Sequence, residues 1–274
     1  MRSHQVSLCL FLTVLLVTLA APAPGVAGDV RHNKPLNYPS GLRWVMQAMT
    51  ALTGGNPVNS VSLSGSVTWT IGNNQGNGTI TLQSTANSNS QIQLSTSAGN
   101  RSESRSWAGD GSQPLGQWTD LNGQPHQMAQ HNCWTDAVWF FPALSMLSDY
   151  SDPTMVYNDL GQEQHDGHNV EHIQAYRSIP GLPSDVEQTL QPLSTVDYYL
   201  DSQTAIPVAM AFAMHDDRDL NLNVPVEIVF SQYQSVNGIQ TPFQVTRMYS
   251  GSPLYQITIS SVGINGQGLP AQRL

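Results

Sequence analysis

The most informative segment of the chain runs from Val224 to Tyr249 and reads VPVEIVFSQYQSVNGIQTPFQVTRMY. Two runs rich in β-branched and aromatic residues flank Asn237-Gly238, and each run is long enough to form an extended strand. A type I′ turn needs positive φ at both central residues, which Asn and Gly tolerate better than most residues. The stretch therefore predicts an antiparallel hairpin that turns at Asn237-Gly238.

The same pattern continues on both sides of this hairpin. The additional predicted strands are Val196–Leu200, Ile206–Phe212 and, after a turn at Gly251, Leu254–Ile264. A polar loop is expected to separate Phe212 from Val224. Consecutive long antiparallel strands build a ligand-holding sheet more readily than a catalytic site, so the last third of the chain predicts a binding surface.

The first third of the chain begins with a predicted helix. Ser40 can cap a helix over residues 41–53, in which apolar residues recur at i, i+3, i+4, i+7 and i+10. The predicted buried stripe consists of Leu42, Val45, Met46, Met49 and Leu52. Gly54-Gly55 ends this helix.

The hydrophobic period then changes from 3.6 to 2. From Val61 to Ile71, apolar residues alternate with Ser and Thr, and a register slip of one residue would bury the hydroxyls instead. We expect residues 61–107 and 155–264 to form one antiparallel sheet. Its concave face is predicted to carry Val61, Leu63, Val67, Trp69 and Ile71.

The middle of the chain is less regular. Residues 101–107 alternate charged with small polar side chains, which predicts an exposed strand face. Residues 134–147 form the densest apolar segment, which we interpret as a helix, interrupted or restarted at Pro142, that buries its aromatic rings against the concave side of the sheet. The element order predicts an α+β, mostly β fold: a curved antiparallel sheet, an unclosed half-barrel, wrapped around a few helices.

The N-terminus indicates export. Arg2 precedes a continuous apolar run, Val6–Ala20, and small residues around Ala27 suit signal peptidase. The apolar run is shorter than the roughly 20 residues that span a membrane, and no second run of spanning length follows. We therefore predict a cleaved signal peptide over residues 1–27, a flexible lead-in over 28–39 and a single domain over 40–274. The mature chain is predicted to lie in the periplasm or outside the cell, without a transmembrane anchor.

Charge and cysteine content exclude several classes of partner. The formal net charge is −9 and Lys34 is the only lysine, so nucleic acid and anionic membrane surfaces are unfavourable electrostatic partners. After signal removal Cys133 is the single cysteine, so an internal disulfide framework is not expected. Cys133 lies among apolar residues, which favours a buried small hydrophobic residue over a reactive thiol.

Roughly residues 40–265 combine the initial helix and the long strands with a set of short motifs: Tyr198-Tyr199-Leu200-Asp201, Ile206-Pro207, Val226-Glu227-Ile228, Phe230-Ser231, Asn237-Gly238 and Pro242-Phe243. In this pattern the chain resembles the LolA/LolB-like superfamily of exported bacterial proteins, which includes lipoprotein carriers and RseB-like sensors. The resemblance implies a half-barrel with helices at its mouth and an apolar cavity between them. Members with a known role hold acyl chains or sense lipoproteins.

The residues that could carry chemistry are few. His165, His168 and His172, together with Asp166 and Glu171, are dense enough for a zinc or other transition-metal site. A solvated hairpin tip that turns at Asp166-Gly167 explains them better, so no metal and no cofactor are predicted.

The acidic segment 216–219 lacks the spacing of a calcium loop and is expected to be a solvated connection. Signatures of hydrolases, metalloproteases, phosphate loops and dinucleotide binding are absent from the sequence, which predicts a protein that is not an enzyme.

Two function classes stay open. One is a periplasmic carrier or sensor that binds an apolar ligand: a lipid, an acyl chain or a lipoprotein. Its predicted ligand contacts are adaptable Met and aromatic side chains: Met46, Met49, Trp69, Trp139, Phe140 and Phe141. The other is a non-catalytic structural or protein-interaction module of the cell envelope, in which the same fold is packed solid. A metal-dependent enzyme would require at least three of the His, Asp and Glu side chains to converge. An apolar cavity above roughly 300 Å³ favours the carrier, and a filled interior favours the module.

Overall fold

A computed structural model describes residues 39–109, 111 and 113–266 of the chain. The predicted signal peptide and almost all of the predicted lead-in lie outside the described residues. The strands before the central helices are β1 (Ser60–Ile71), β2 (Asn74–Thr85), β3 (Ser90–Thr96), β4 (Gly99–Trp107), β5 (Pro114–Thr119) and β6 (Pro125–Gln127). The strands after them are β7 (Met155–His165), β8 (His168–Arg177), β9 (Val196–Asp201), β10 (Pro207–Asp216), β11 (Asp219–Val236), β12 (Ile239–Tyr249) and β13 (Ser252–Ile264).

The helices are α1 (Pro39–Thr53), a short 3₁₀ helix (Gln130–Trp134), α2 (Pro142–Ser151) and α3 (Ser184–Ser194). α1 begins at Pro39, one residue before the predicted start of the folded domain. None of the described helices has the length and apolar character that crossing a membrane would require.

The thirteen strands form one sheet in the order β6-β5-β4-β3-β2-β1-β13-β12-β11-β10-β9-β8-β7. Every pairing between neighbouring strands is antiparallel. The edge strands β6 and β7 do not pair with each other, so the sheet is unclosed. The predicted mostly β fold, with one unclosed antiparallel sheet and helices, is confirmed.

Tight turns set the register of the sheet. The predicted turn at Asn237-Gly238 is confirmed: φ is +52° at Asn237 and +81° at Gly238, as a type I′ turn requires. Both central residues also have positive φ at Asp166-Gly167 and at Ser250-Gly251. These turns place their flanking strands directly beside each other, which explains why the strands that follow one another in sequence also neighbour one another in the sheet.

One hydrogen-bonded bridge shows that the sheet is strongly curved. Arg105 on β4 donates from Nη1 to the backbone oxygen of Asn132 at 3.2 Å, and the side chain of Asn132 accepts from the backbone nitrogen of His215 on β10 at 2.8 Å. β4 and β10 are seven steps apart in the strand order. In a flat sheet seven steps would span about 34 Å, far more than these side chains can reach. The concave face therefore wraps around the core.

The core lies between this concave face and the helices. Val61, Leu63 and Val67 on β1 are at most 3% exposed, which confirms their predicted orientation. Trp69 on the same face is half-buried, and the side chain of Ile71 lies outside the described part of the structure. Residues 138–141 and the buried side chains of α1 and α2 form one apolar core with the inward-facing residues of the sheet.

Three predictions about local structure are wrong. The polar loop expected between Phe212 and Val224 is a tight hairpin, because β10 continues to Asp216 and β11 begins at Asp219. Residues 135–141 are not helical, since the α-helix starts only at Pro142, whose missing N–H suits a first helical position. Residues 101–107 are not an exposed face: Arg105 is 4% exposed, held by hydrogen bonds to the segment after the 3₁₀ helix.

The buried face of α1 also differs from the predicted stripe. Met46 is 50% exposed, whereas Val45, Ala48 and Leu52 are fully buried. At Gly41 the helix backbone lies so close to β7 that a Cβ atom would come within 2.8 Å of the backbone oxygen of Tyr157. The helix therefore packs through its small residues, and its buried face is rotated by about 65° from the centre of the apolar stripe.

Candidate ligand cavity

A cavity of about 280 Å³ lies against the concave face beneath β2, β3, β4, β12 and β13, beside Trp139. Its apolar wall is formed by Ile80, Ile92, Leu94, Tyr249, Leu254 and Tyr255. Ile80, Leu94 and Trp139 are buried, whereas the other apolar residues are partly exposed. The cavity thus has a closed inner end and one side that reaches solvent.

Strand β1 pairs with β2 beside Ile80, one of the residues in the cavity wall. Gly65 shares the concave face with Leu63 and Val67 and stands opposite Ile80 in the register of β1 and β2. It adds no side chain to the space beside Ile80. A Cβ atom there would come within 2.0 Å of the backbone oxygen of Thr258, at a register shift between β1 and β13. A larger residue therefore cannot occupy this position without moving the backbone.

Three charged residues, Arg101, Glu103 and Arg247, also line the cavity. Glu103 accepts a hydrogen bond from Nε of Arg105 at 3.0 Å. Burial raises the pKa of Glu103, but the positive charges of Arg105, Arg247 and Arg101 and the hydrogen bond outweigh it, so the pKa lies below its ordinary value. The carboxylate is therefore ionised at neutral pH and stands among three guanidinium groups.

Arg247 is the most enclosed of these charges, at 3% exposed. Its guanidinium carbon lies 4.6 Å from the ring centre of Trp139, and its Nη2 donates to the hydroxyl of Tyr249 at 2.9 Å and to the sulfur of Met214 at 3.3 Å. Nε of Arg247 and Nε1 of Trp139 are buried without a hydrogen-bond partner among the residues that the structure describes. The closed end of the cavity therefore holds buried donors and a cation.

The predicted ligand contacts are scattered over the structure. Trp139 lines the cavity, and Trp69 lies on the same face, opposite Tyr255 in the strand register. Phe140 and Phe141 are 0% exposed in the core.

The two predicted methionine contacts lie on α1. Met49 is partly buried against the core. Met46 instead faces an open groove between α1 and the turn before β10. Of the six predicted contacts, Trp139 is the one that the structure places in the wall of the cavity.

The charged lining residues were missed by the sequence analysis. Arg247 has the same strand parity as Val245, which is fully buried, and Glu103 has the same parity as Arg105. A charged residue at an inward position of an alternating strand is a signal for a polar site inside a sheet. The polar residues between Arg101 and Arg105 concealed this signal, because they made both faces of the strand look solvated.

The predicted histidine cluster is dispersed. His172 bonds Asp197 at 2.9 Å, and His168 is exposed at the hairpin tip. His165 bonds Oε1 of Glu227 at 2.7 Å and stacks on Tyr199.

The residues that do converge near the hairpin tip are His165, Asp166 and Glu227, whose possible ligand atoms lie within 4.8 Å of one another. Sequence spacing could not have suggested Glu227, since it comes from β11. The hydrogen bond between His165 and Glu227 accounts for this arrangement without an ion.

A second polar cluster joins α2 to β9 inside the core. The hydroxyl of Ser145 bonds the carboxylate of Asp136 and lies 2.9 Å from the hydroxyl of Tyr198, which donates to Asp149 at 2.8 Å. Ser145 is 1% exposed, so its hydroxyl is closed to a substrate. Burial, and then the charge of Asp136, raises the pKa of Asp149 to about 7. This network positions α2 on the sheet.

Comparisons with known proteins identify the fold. No protein-family profile and no curated protein matches the chain. One similar solved structure is described as an outer membrane lipoprotein-sorting protein domain from Vibrio parahaemolyticus. It is 12% identical to this chain with a TM-score of 0.50, and the match covers 85% of this chain and 94% of that domain. A DUF1329 family protein from Desulfovibrio piger is 10% identical with a TM-score of 0.52, covering 82% of this chain and 92% of its own.

A LolA superfamily protein from Nitrosomonas europaea is 9% identical with a TM-score of 0.48, over 84% of this chain and 94% of its own. Identity at this level shows the fold alone. The predicted resemblance is confirmed at the level of the fold, which the described residues share with the lipoprotein-sorting protein domain and the DUF1329 family protein.

Proposed function

We propose that this protein is an exported binding protein that holds an apolar ligand, a lipid or acyl chain, in the cavity beside Trp139, as a carrier or sensor and without covalent chemistry. The observation that carries the proposal is the cavity itself: about 280 Å³, with Trp139 and six other apolar side chains in its wall. This volume is just below the roughly 300 Å³ above which a carrier is favoured over a packed module, so the cavity suits one short chain or one end of a longer chain.

Transfer of apolar surface from water would supply the binding energy. Each buried methylene contributes about 0.8 kcal/mol, so eight methylenes contribute about 6 kcal/mol before the cost of association. Few polar contacts are needed for such binding, which agrees with the apolar wall.

Two further features support the proposal. The apolar run over residues 6–20 supports export to the periplasm or beyond the cell. The LolA-like fold is shared with a domain named for lipoprotein sorting, so a lipoprotein acyl chain is a candidate ligand.

The test is binding of the neutral apolar fluorophore N-phenyl-1-naphthylamine to the purified protein. Ile92 and Gln93 are neighbours on β3, but Ile92 lines the cavity while Gln93 is exposed on the other face. Ile92→Trp should fill the cavity and weaken saturable binding at least fivefold. Gln93→Trp, the matched control, should bind the probe as tightly as the wild type.

Absence of saturable binding to the wild type would overturn the carrier proposal and favour the envelope interaction module. Equal weakening in both variants would show that the probe binds outside the cavity. Thermal unfolding of both variants provides the control for foldedness.

A further inference from the structure

The buried polar atoms at the closed end of the cavity that have no hydrogen-bond partner among the described residues are both donors. Arg247 is buried with Nε unpartnered, and its other partners are the neutral atoms of Tyr249 and Met214. Trp139 presents an unpartnered Nε1–H beside it. Indole and guanidinium nitrogens can only donate, so a complementary group has to accept.

The charge around the cavity is mostly positive. Arg101 and Arg247 line it together with one acid, Glu103. The hydrogen bond of Glu103 goes to a third guanidinium, that of Arg105. Three positive charges therefore surround one negative charge in a chain whose formal net charge is −9. Glu103 neutralises part of this local charge but leaves Arg247 without a bonded carboxylate among the described residues.

The position of Arg247 relative to the apolar wall gives a ligand its orientation. Arg247 is 3% exposed, whereas Ile92, Leu254 and Tyr255 are partly exposed. A buried guanidinium without a hydrogen-bonded carboxylate carries a desolvation cost that the charge of Glu103 offsets only in part, and a bound anion would offset more of it through short, charge-assisted hydrogen bonds. A neutral lipid would leave the cost in place.

We infer that the ligand of this cavity is an anionic amphiphile whose carboxylate binds Arg247 at the closed end, with its acyl chain along the apolar wall. The inference rests on the proposed function and names the chemical class of its ligand. Nε1 of Trp139 supplies a further donor to the same carboxylate. Arg101, which stacks on Trp118 at 4.6 Å, attracts the anion at the open side without binding it at the closed end.

The test compares two ligands that differ only in the headgroup, decanoate and decan-1-ol, as competitors of bound N-phenyl-1-naphthylamine at pH 7.5. The wild type should bind decanoate at least tenfold more tightly than decan-1-ol. Arg247→Gln should reduce this preference to less than threefold while it leaves the affinity for decan-1-ol within a factor of two. Arg247→Lys should restore part of the preference, because it returns the charge.

Arg218→Gln, which removes one positive charge from the exposed turn between β10 and β11, is the matched control and should keep the full preference. Equal binding of decanoate and decan-1-ol to the wild type would overturn the inference while the proposed function stands. Absence of binding by the probe and by both competitors would overturn the proposed function and the inference together. Because the ligand comparison uses the wild type, it decides the inference even where Arg247→Gln fails to fold.

Discussion

The packing of α1 makes a sharp prediction about two adjacent residues. Val45 is 0% exposed and Met46 is 50% exposed, so the same substitution at the two positions should have very different effects on stability. The variants are Val45→Asp and Met46→Asp. They share the helix, the introduced carboxylate and the local sequence, which makes each the control for the other.

The magnitudes follow from burial. Val45→Asp loses about 1.5–3 kcal/mol of side-chain burial and adds several kcal/mol for an unpaired buried carboxylate. A total of about 5 kcal/mol lowers Tm by roughly 10–20 °C in a domain of this size. Met46→Asp exchanges a half-exposed side chain and loses some helix propensity, so about 1 kcal/mol and a few degrees are expected.

Thermal unfolding followed by circular dichroism measures both values. If Tm falls only slightly in Val45→Asp but strongly in Met46→Asp, then α1 packs through the face that carries Leu42, Met46 and Met49, and the described packing is wrong. Equal losses of Tm would show that Val45 and Met46 are buried to the same extent, which also contradicts the described packing.

Two further predictions concern titration. Burial and the charge of Asp136 raise the pKa of Asp149 to about 7, so the folded state binds this proton more tightly than the unfolded state and stability is lost as pH rises through about 7. Asp149→Asn should therefore reduce the difference between the free energies of unfolding measured in urea at pH 5 and at pH 8. An unchanged difference would contradict the raised pKa. The hydrogen bond that His172 donates to Asp197 raises the pKa of His172 above its ordinary value of 6.5 despite burial, so this pair stabilises the fold below pH 6.5 and loses its effect as pH rises through the raised pKa. An NMR titration should show a lower His172 pKa in Asp197→Asn than in the wild type. The same pKa in both proteins would rule out the pair as the cause.

Local sequence signals determined most of the sheet. The turn at Asn237-Gly238 and the alternation from Val61 to Val67 required only residue preferences and strand period, and the structure confirms both. The hairpin at residues 216–219 was missed because its acidic residues look like a solvated loop, although a two-residue turn needs no apolar residue.

The face of α1 could not be derived from hydrophobicity alone. Gly41 lets the helix backbone approach β7 closely and Ala48 is fully buried, but an apolar stripe gives such small residues little weight. Met46 was assigned to the core for its side chain, whereas the neighbouring turn before β10 leaves it beside an open groove.

The charged lining of the cavity depends on curvature, which sequence does not display. Glu103 on β4 and Arg247 on β12 are five steps apart in the strand order and approach each other only because the sheet wraps around its core. The same curvature brings Glu227 to His165. Contacts of this kind arise from the whole sheet, so no local window of sequence contains them.

Native mass spectrometry of the protein purified from a cell-envelope extract tests whether the cavity carries an apolar ligand. We expect an adduct of one lipid or fatty acid per chain, released on denaturation and much reduced in Ile92→Trp but retained in Gln93→Trp. A protein that has only its own mass, or an adduct that is equally abundant in both variants, would contradict the claim.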